Sequence, residues 1–137
     1  MSLNILMVED NLSHQKITEY ILKKIGIPFS LFVVRDGQMV LDYLYHKGPY
    51  SDTDKFPLPH IILLDLNLPK RDGREVLKII KEDDNLKNIP IVVVSTSDRE
   101  EDVNYANRLG VAGYISKSIG FDKLNLELFN ILKNIKL

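Results

Sequence analysis

Residues 91–95 read Ile-Val-Val-Val-Ser and residues 61–64 read Ile-Ile-Leu-Leu. A strand with one wet face alternates apolar and polar residues. Runs this continuous are expected of parallel strands covered on both faces. Asn4–Val8 (NILMV) and Ser30–Val34 (SLFVV) read the same way, and Gly113–Ser116 (GYIS) supplies a fifth, less apolar run. Longer segments of helical period separate them, and that alternation specifies βα units around a parallel sheet, an α/β fold.

The last helical segment is the clearest, with Phe121, Leu124, Leu128, Ile131, Leu132 and Ile135 spaced as one buried stripe. The first carries Ile17, Ile21 and Ile25 and stops at Gly26, with Pro28 beyond. Asp36 to about Lys47 carries Val40, Leu41 and Leu44, and Asp72 to Asp83 carries Val76, Leu77 and Ile80 after Asp72-Gly-Arg-Glu75, a capped start. Ser97-Asp-Arg-Glu100 has capping-box spacing, so the charged run Ser97–Asp102 reads as a solvated helix start. One stretch breaks the rhythm: Lys47–His60 (KGPYSDTDKFPLPH) is far longer than the roughly two to six residues usual for an αβ loop. It reads either as a partner-facing loop or as a loosely ordered excursion.

The 137 residues show no repeat, linker or second domain, so the expectation is one domain spanning 1–137. With 45% hydrophobic residues the chain can build a core without staples, and with no cysteine it has neither disulfides nor thiol chemistry nor cysteine-ligated zinc. No apolar run nears the ~20 residues of a membrane span, and no leader pattern opens the chain. A soluble cytoplasmic protein is the expectation. The net charge of −1 and the scattered basic residues offer no general attraction to nucleic acid or to an anionic membrane.

Ligands of an open parallel sheet bind beyond the carboxyl ends of its strands. The residues found there are Glu9-Asp10-Asn11, Asp65-Leu66-Asn67, Ser95-Thr96-Ser97 and Lys117-Ser118, while Arg35-Asp36-Gly37 reads as an ordinary turn into a helix. Each alone has a structural explanation: Asp10 or Asn11 as a helix cap, Asp65 as a loop cap, Ser95 as a strand end, Lys117 as a surface lysine. Their convergence argues otherwise. Glu9, Asp10 and Asp65 at adjacent strand ends repel one another by several kcal/mol per close pair, at an effective dielectric of about 20. Without cysteine or a histidine pair, the cation that relieves this is a hard ion held by oxygen, and Mg²⁺ suits a small shell with room for a phosphate. Lys117 and the Ser95 hydroxyl offer a charge and a donor to an incoming anion. The combination describes phosphoryl transfer to a carboxylate.

These residues, in this order and spacing, closely resemble the receiver domain of two-component response regulators over essentially the whole chain. The resemblance implies a flavodoxin-like, doubly wound five-stranded sheet of order 2-1-3-4-5 with five helices. It implies that Asp65 accepts a phosphoryl group from a histidine kinase, that Asp10 ligates Mg²⁺ directly, and that Glu9 acts through a metal-bound water. Asn67 matches the residue that lends its carbonyl to the metal, Ser95 and Tyr114 the hydroxyl and aromatic switch pair, and Lys117 the phosphate-pairing lysine. The stretch LNLPKRDGREVL, the long loop before strand three and the lack of an output domain are most similar to single-domain regulators associated with phytochrome-type histidine kinases. That implies a light- or redox-linked sensor kinase as partner and admits a homodimer. The signal would leave through helix four, strand five and helix five near Tyr105, Tyr114 and Ile115 to a downstream protein. Two departures stand out. Ser118 replaces the proline that usually follows the lysine, often through a cis bond, and Thr96 follows Ser95 where a smaller residue is common.

A dehalogenase-type aspartyl phosphatase needs a second aspartate two residues after the first, where this chain has Asn67. A nucleotide or flavin site needs a glycine-rich phosphate loop, which is absent. The remaining alternative is a non-phosphorylated interaction module on the receiver scaffold, and the complete set of acids, hydroxyl and lysine weighs against it.

Overall fold

A computed structural model describes residues 2–135. Its elements are β1 (Leu3–Val8), α1 (Leu12–Ile25), β2 (Phe29–Val34), α2 (Gly37–Leu44), β3 (Ile61–Leu64), α3 (Gly73–Glu82), β4 (Ile91–Ser95), α4 (Glu100–Arg108), β5 (Gly113–Ser116) and α5 (Phe121–Asn134). The strands are all parallel in the order β2-β1-β3-β4-β5. This is the flavodoxin-like arrangement that the resemblance implied.

Successive side chains of a strand leave opposite faces, so the apolar runs feed two cores. Leu6, Val8, Ile62, Leu64 and Val93 meet α2, α3 and Ala106 of α4 on one face. Ile5, Ile61, Leu63, Val92, Val94 and Ile115 meet Ile21 and Leu22 of α1 and Leu124, Leu128 and Leu132 of α5 on the other. Caps placed by sequence end the helices: the Asn11 carboxamide accepts from His14 N (3.0 Å), the Asp36 carboxylate from Met39 N (2.8 Å), and Gly26 takes the left-handed conformation after α1. Among the described residues no helix is long and apolar enough to cross a membrane.

Several expectations need correction. β2 is an edge strand, so Ser30 and Val33 are exposed and the strand is not covered on both faces. The buried stripe of α1 is Thr18, Ile21 and Leu22 rather than Ile17-Ile21-Ile25, and Phe121 of α5 lies 42% exposed. Ile115 is fully buried between β4 and α5, so it cannot belong to an output surface. The connection 47–60 is neither loose nor splayed. Tyr50 and Phe56 pack on the buried ring of Tyr43 with centroids 5.2 and 5.9 Å away, and the Tyr43 hydroxyl donates to the Pro57 carbonyl (2.8 Å). Burial pushes that phenol up to about 12. The long loop is thus an aromatic annex to the core.

Candidate functional site

The carboxyl ends of the strands bring the polar residues together. Asp65 leaves β3 almost fully buried, its backbone N–H bonded to the Val8 carbonyl (3.2 Å), and Glu9 leaves β1 equally buried. Asn11 takes the capping role at α1, so Asp10 projects outward beside them. Ligand oxygens of Glu9, Asp10 and Asp65 lie within 4.8 Å of one another. Three hard carboxylates at that separation, without a soft donor, suit a divalent cation of the magnesium or manganese kind.

Asp65 is held at both oxygens. Its Oδ1 accepts from the Ser95 hydroxyl (3.1 Å) and from the Asn67 backbone N–H (3.0 Å), while Oδ2 lies 3.3 Å from Lys117 Nζ. Ser95 is fully buried at the end of β4. Lys117 also pairs with Glu9 Oε1 and stands 3.1 Å from His14 Nδ1. Burial raises the Glu9 carboxyl above its ordinary value against the pull of the lysine. The Lys117 ammonium therefore already shares the acidic cluster, between Glu9 and Asp65.

The loop beneath the carboxylate is closed by packing. Gly73 opens α3 with its N–H on the Leu66 carbonyl (3.0 Å), and a Cβ there would collide with the Asp65 carbonyl oxygen and with Leu66. Gly37 is under the same constraint from Arg71, which makes Asp36-Gly37 a docking point and not merely a turn. The side chain of Asn67 donates to Thr96 Oγ1 (3.1 Å), joining the β3 and β4 loops across the site. Tyr114, half-buried on β5, donates its hydroxyl to the Ser97 carbonyl (2.7 Å), and burial raises its pKa. Lys117–Ile119 forms one 3₁₀ turn with no cis bond at Ser118, whose N–H is capped by the Ser116 hydroxyl (3.3 Å).

Sequence reading missed three residues. His14 lies one turn into α1, and nothing local marks its approach to Lys117. Arg74 and Asp102 form a bidentate pair, Nε to Oδ1 and Nη2 to Oδ2, both 2.7 Å. Asp98, Arg99, Glu100 and Glu101 are exposed as expected of a solvated helix start, but Asp102 is buried. The expected capping box is also absent. Arg99 occupies the cap position of α4 without a side-chain bond, because the Ser97 hydroxyl is turned to Asp102 Oδ2 (2.5 Å) instead. Arg74 and Asp102 sit on different helices, a separation no spacing rule covers.

A family profile described as the response regulator receiver domain matches residues 5–129. Response regulator Rcp1 of Synechocystis sp. is 40% identical over 132 residues, covering 96% of this chain and 85% of that protein. The crystal structure of the Mn²⁺-bound form of Rcp1 matches with a TM-score of 0.88 at 39% identity, over 98% of each chain. The phosphorylated cyanobacterial phytochrome response regulator RcpA matches with a TM-score of 0.86 at 40% identity, over 97% of this chain and 93% of that one. From the parallel sheet to the acidic strand ends, these likenesses span nearly the whole molecule, and the chain belongs to the response regulator receiver domain family, among relatives that include phytochrome response regulators.

Proposed function

We propose that this protein is a phosphoacceptor in a two-component relay, in which Asp65 takes a phosphoryl group from the phosphohistidine of a sensor kinase, the likeness to RcpA favouring a phytochrome-type one. The observation that carries the reading is the grip on Asp65: one oxygen receives the Ser95 and Asn67 donors, and the other faces Lys117. In the transfer a carboxylate oxygen of Asp65 attacks phosphorus, the bond to the kinase imidazole nitrogen breaks, and the imidazole departs with its electron pair. Lys117 Nζ leaves Glu9 to pair with the phosphoryl oxygens, and the Ser95 hydroxyl turns its proton to them. Tyr114, tied to the loop that follows Ser95, carries that movement to the β5 edge.

Glu9, Asp10, Asp65 and the Asn67 carbonyl would hold Mg²⁺, and the Mn²⁺-bound relative together with the acidic cluster supports a divalent ion there. When bound, the ion supplies positive charge that offsets the crowding of carboxylate and phosphate oxygens. Asn67, with no acid in its side chain, leaves Asp65 to store the phosphoryl group rather than hydrolyse it at once. The chain acts as a single cytoplasmic receiver domain that signals through a changed protein surface, alone or as a homodimer.

Intact-mass measurement after incubation with acetyl phosphate and Mg²⁺ tests the proposal. One added phosphoryl group is expected, and none in Asp65→Asn. Absence of the added mass in the unaltered protein, with acetyl phosphate and with a phosphorylated kinase alike, would overturn it.

A further inference from the structure

The Arg74–Asp102 pair takes no part in the chemistry above, yet it lies one bond from the loop that must move. A continuous chain of contacts runs from the acceptor to it. Ser95 Oγ donates to Asp65 Oδ1 (3.1 Å) and accepts from Ser97 N (3.2 Å). Ser97 Oγ donates to Asp102 Oδ2 (2.5 Å), and the Ser97 carbonyl accepts from Tyr114 (2.7 Å). Asp102 is fastened by the bidentate guanidinium of Arg74, whose Nη1 also binds Asp72 (2.9 Å) and whose carbonyl accepts from Tyr105 (3.2 Å). Arg74 in turn opens α3 next to Gly73, which is packed on the Asp65 carbonyl.

The serine hydroxyl has one proton, and it is now given to Asp65. A phosphoryl oxygen on Asp65 claims that proton, so Ser95 Oγ must swing, and the Ser97 N–H that points at it must follow or lose its bond. Ser97 is held back by a bond to a charged acceptor, a kind roughly twice as strong as a neutral one. Resting on the phosphoacceptor reading of Asp65, we propose that the Arg74–Asp102 pair, its carboxylate buried and its guanidinium half-buried, is a latch: it positions Ser97, and through it Ser95 and Tyr114, in the resting arrangement, and so limits how readily Asp65 is phosphorylated. Arg74 and Asp102 are positioning residues and touch no reacting atom.

The test compares wild type with Ser97→Ala, which leaves the ion pair whole but frees the loop, with Ser97→Thr, which keeps the hydroxyl, and with Asp102→Asn. Two readouts are taken: the rate of phosphoryl uptake from acetyl phosphate with Mg²⁺, and amide exchange over residues 96–102 without a phosphodonor. Ser97→Ala is expected to take up phosphoryl roughly tenfold faster or more, the loss of one hydrogen bond to a charged group, and to exchange faster over 96–102. Ser97→Thr should restore both wild-type values, and Asp102→Asn, where it folds, should follow Ser97→Ala. Uptake by Ser97→Ala no faster than wild type overturns the latch. A wild type that takes up no phosphoryl group from acetyl phosphate or from a phosphorylated kinase defeats the phosphoacceptor reading instead. Exchange then decides the latch by itself: faster exchange in Ser97→Ala upholds it as a conformational restraint, and unchanged exchange overturns it.

Discussion

Two clusters of opposite charges sit at the rim of this sheet, and they differ in balance. Around Asp65, among the described residues, three carboxylates gather and the Lys117 ammonium pairs with two of them, Glu9 and Asp65. Between α3 and α4, the buried Asp102 carboxylate meets the Arg74 guanidinium in a two-bond fork, with Ser97 completing its shell and the exposed Asp72 on the guanidinium's outer nitrogen. A buried carboxylate satisfied by a bidentate arginine is a fixed structural joint. Carboxylates outnumbering their cation form a site whose charge is completed from outside. The difference teaches that an unmatched charge held in place marks a site open to a ligand, whereas a matched ion pair marks a restraint.

Removing one partner from each cluster should therefore have opposite effects. The largest is expected at the balanced pair. Arg74→Met leaves Asp102 buried without its counter-charge and should cost about 3 kcal/mol in chemical denaturation, the lower end for a broken buried pair because the Ser97 bond remains. A loss near zero would show that water reaches Asp102 freely and that the pair is not a joint. At the unbalanced cluster, Asp10→Asn in Mg²⁺-free buffer should raise the melting temperature by relieving repulsion, the reverse sign. With Mg²⁺ at a hundred times its Kd, the wild type should gain about 2.7 kcal/mol, and the variant at the same Mg²⁺ concentration most of that less. Equal Mg²⁺ stabilisation of both proteins would remove Asp10 from the metal shell.

The smallest effect is in pH. Arg74, and secondarily the Ser97 hydroxyl, hold the Asp102 carboxyl down at about 2 against the upward push of burial. A depressed acid contributes stability in full above its unfolded value near 3.8, and that contribution is lost as pH falls through the folded value. Urea unfolding at about pH 5 and about pH 3 should thus show the gap between wild type and Arg74→Met narrowing toward acid. A gap that stays constant would mean that Arg74 stabilises by packing rather than by charge.

Much of the fold was legible because its signals are short in range. Ile61–Leu64 and Ile91–Ser95 fall on the strand bounds read from the sequence, since a doubly covered strand must be apolar along its whole length, and the less apolar edge strand Gly113–Ser116 does so too. The strand-end residues Glu9, Asp10, Asp65, Asn67, Ser95 and Lys117 also meet as expected, because the end of a parallel strand is fixed once the strand is found. Amphipathic phase was harder. In α1 the apolar Ile17 is 39% exposed while Thr18 is buried, because α5, not the period of α1, decides which residues are covered. Ser97 shows the limit of local reading: four residues matched a capping box, and Asp102 of α4, itself gripped by Arg74 of α3, took the serine away.

The order of residues by itself determined the parallel sheet, its apolar strands and the acids, hydroxyl and lysine at their ends. These follow from side-chain period and from the identity of the next residue along the chain. Only the tertiary structure decided that Lys117 bridges Glu9 and Asp65, that the 47–60 connection closes on Tyr43, and that Arg74 grips Asp102 across two helices. Each of these depends on which surfaces the β2-β1-β3-β4-β5 order brings within a few ångströms. Coulomb attraction and packing act through space, and the chain carries no local record of the partner it will meet.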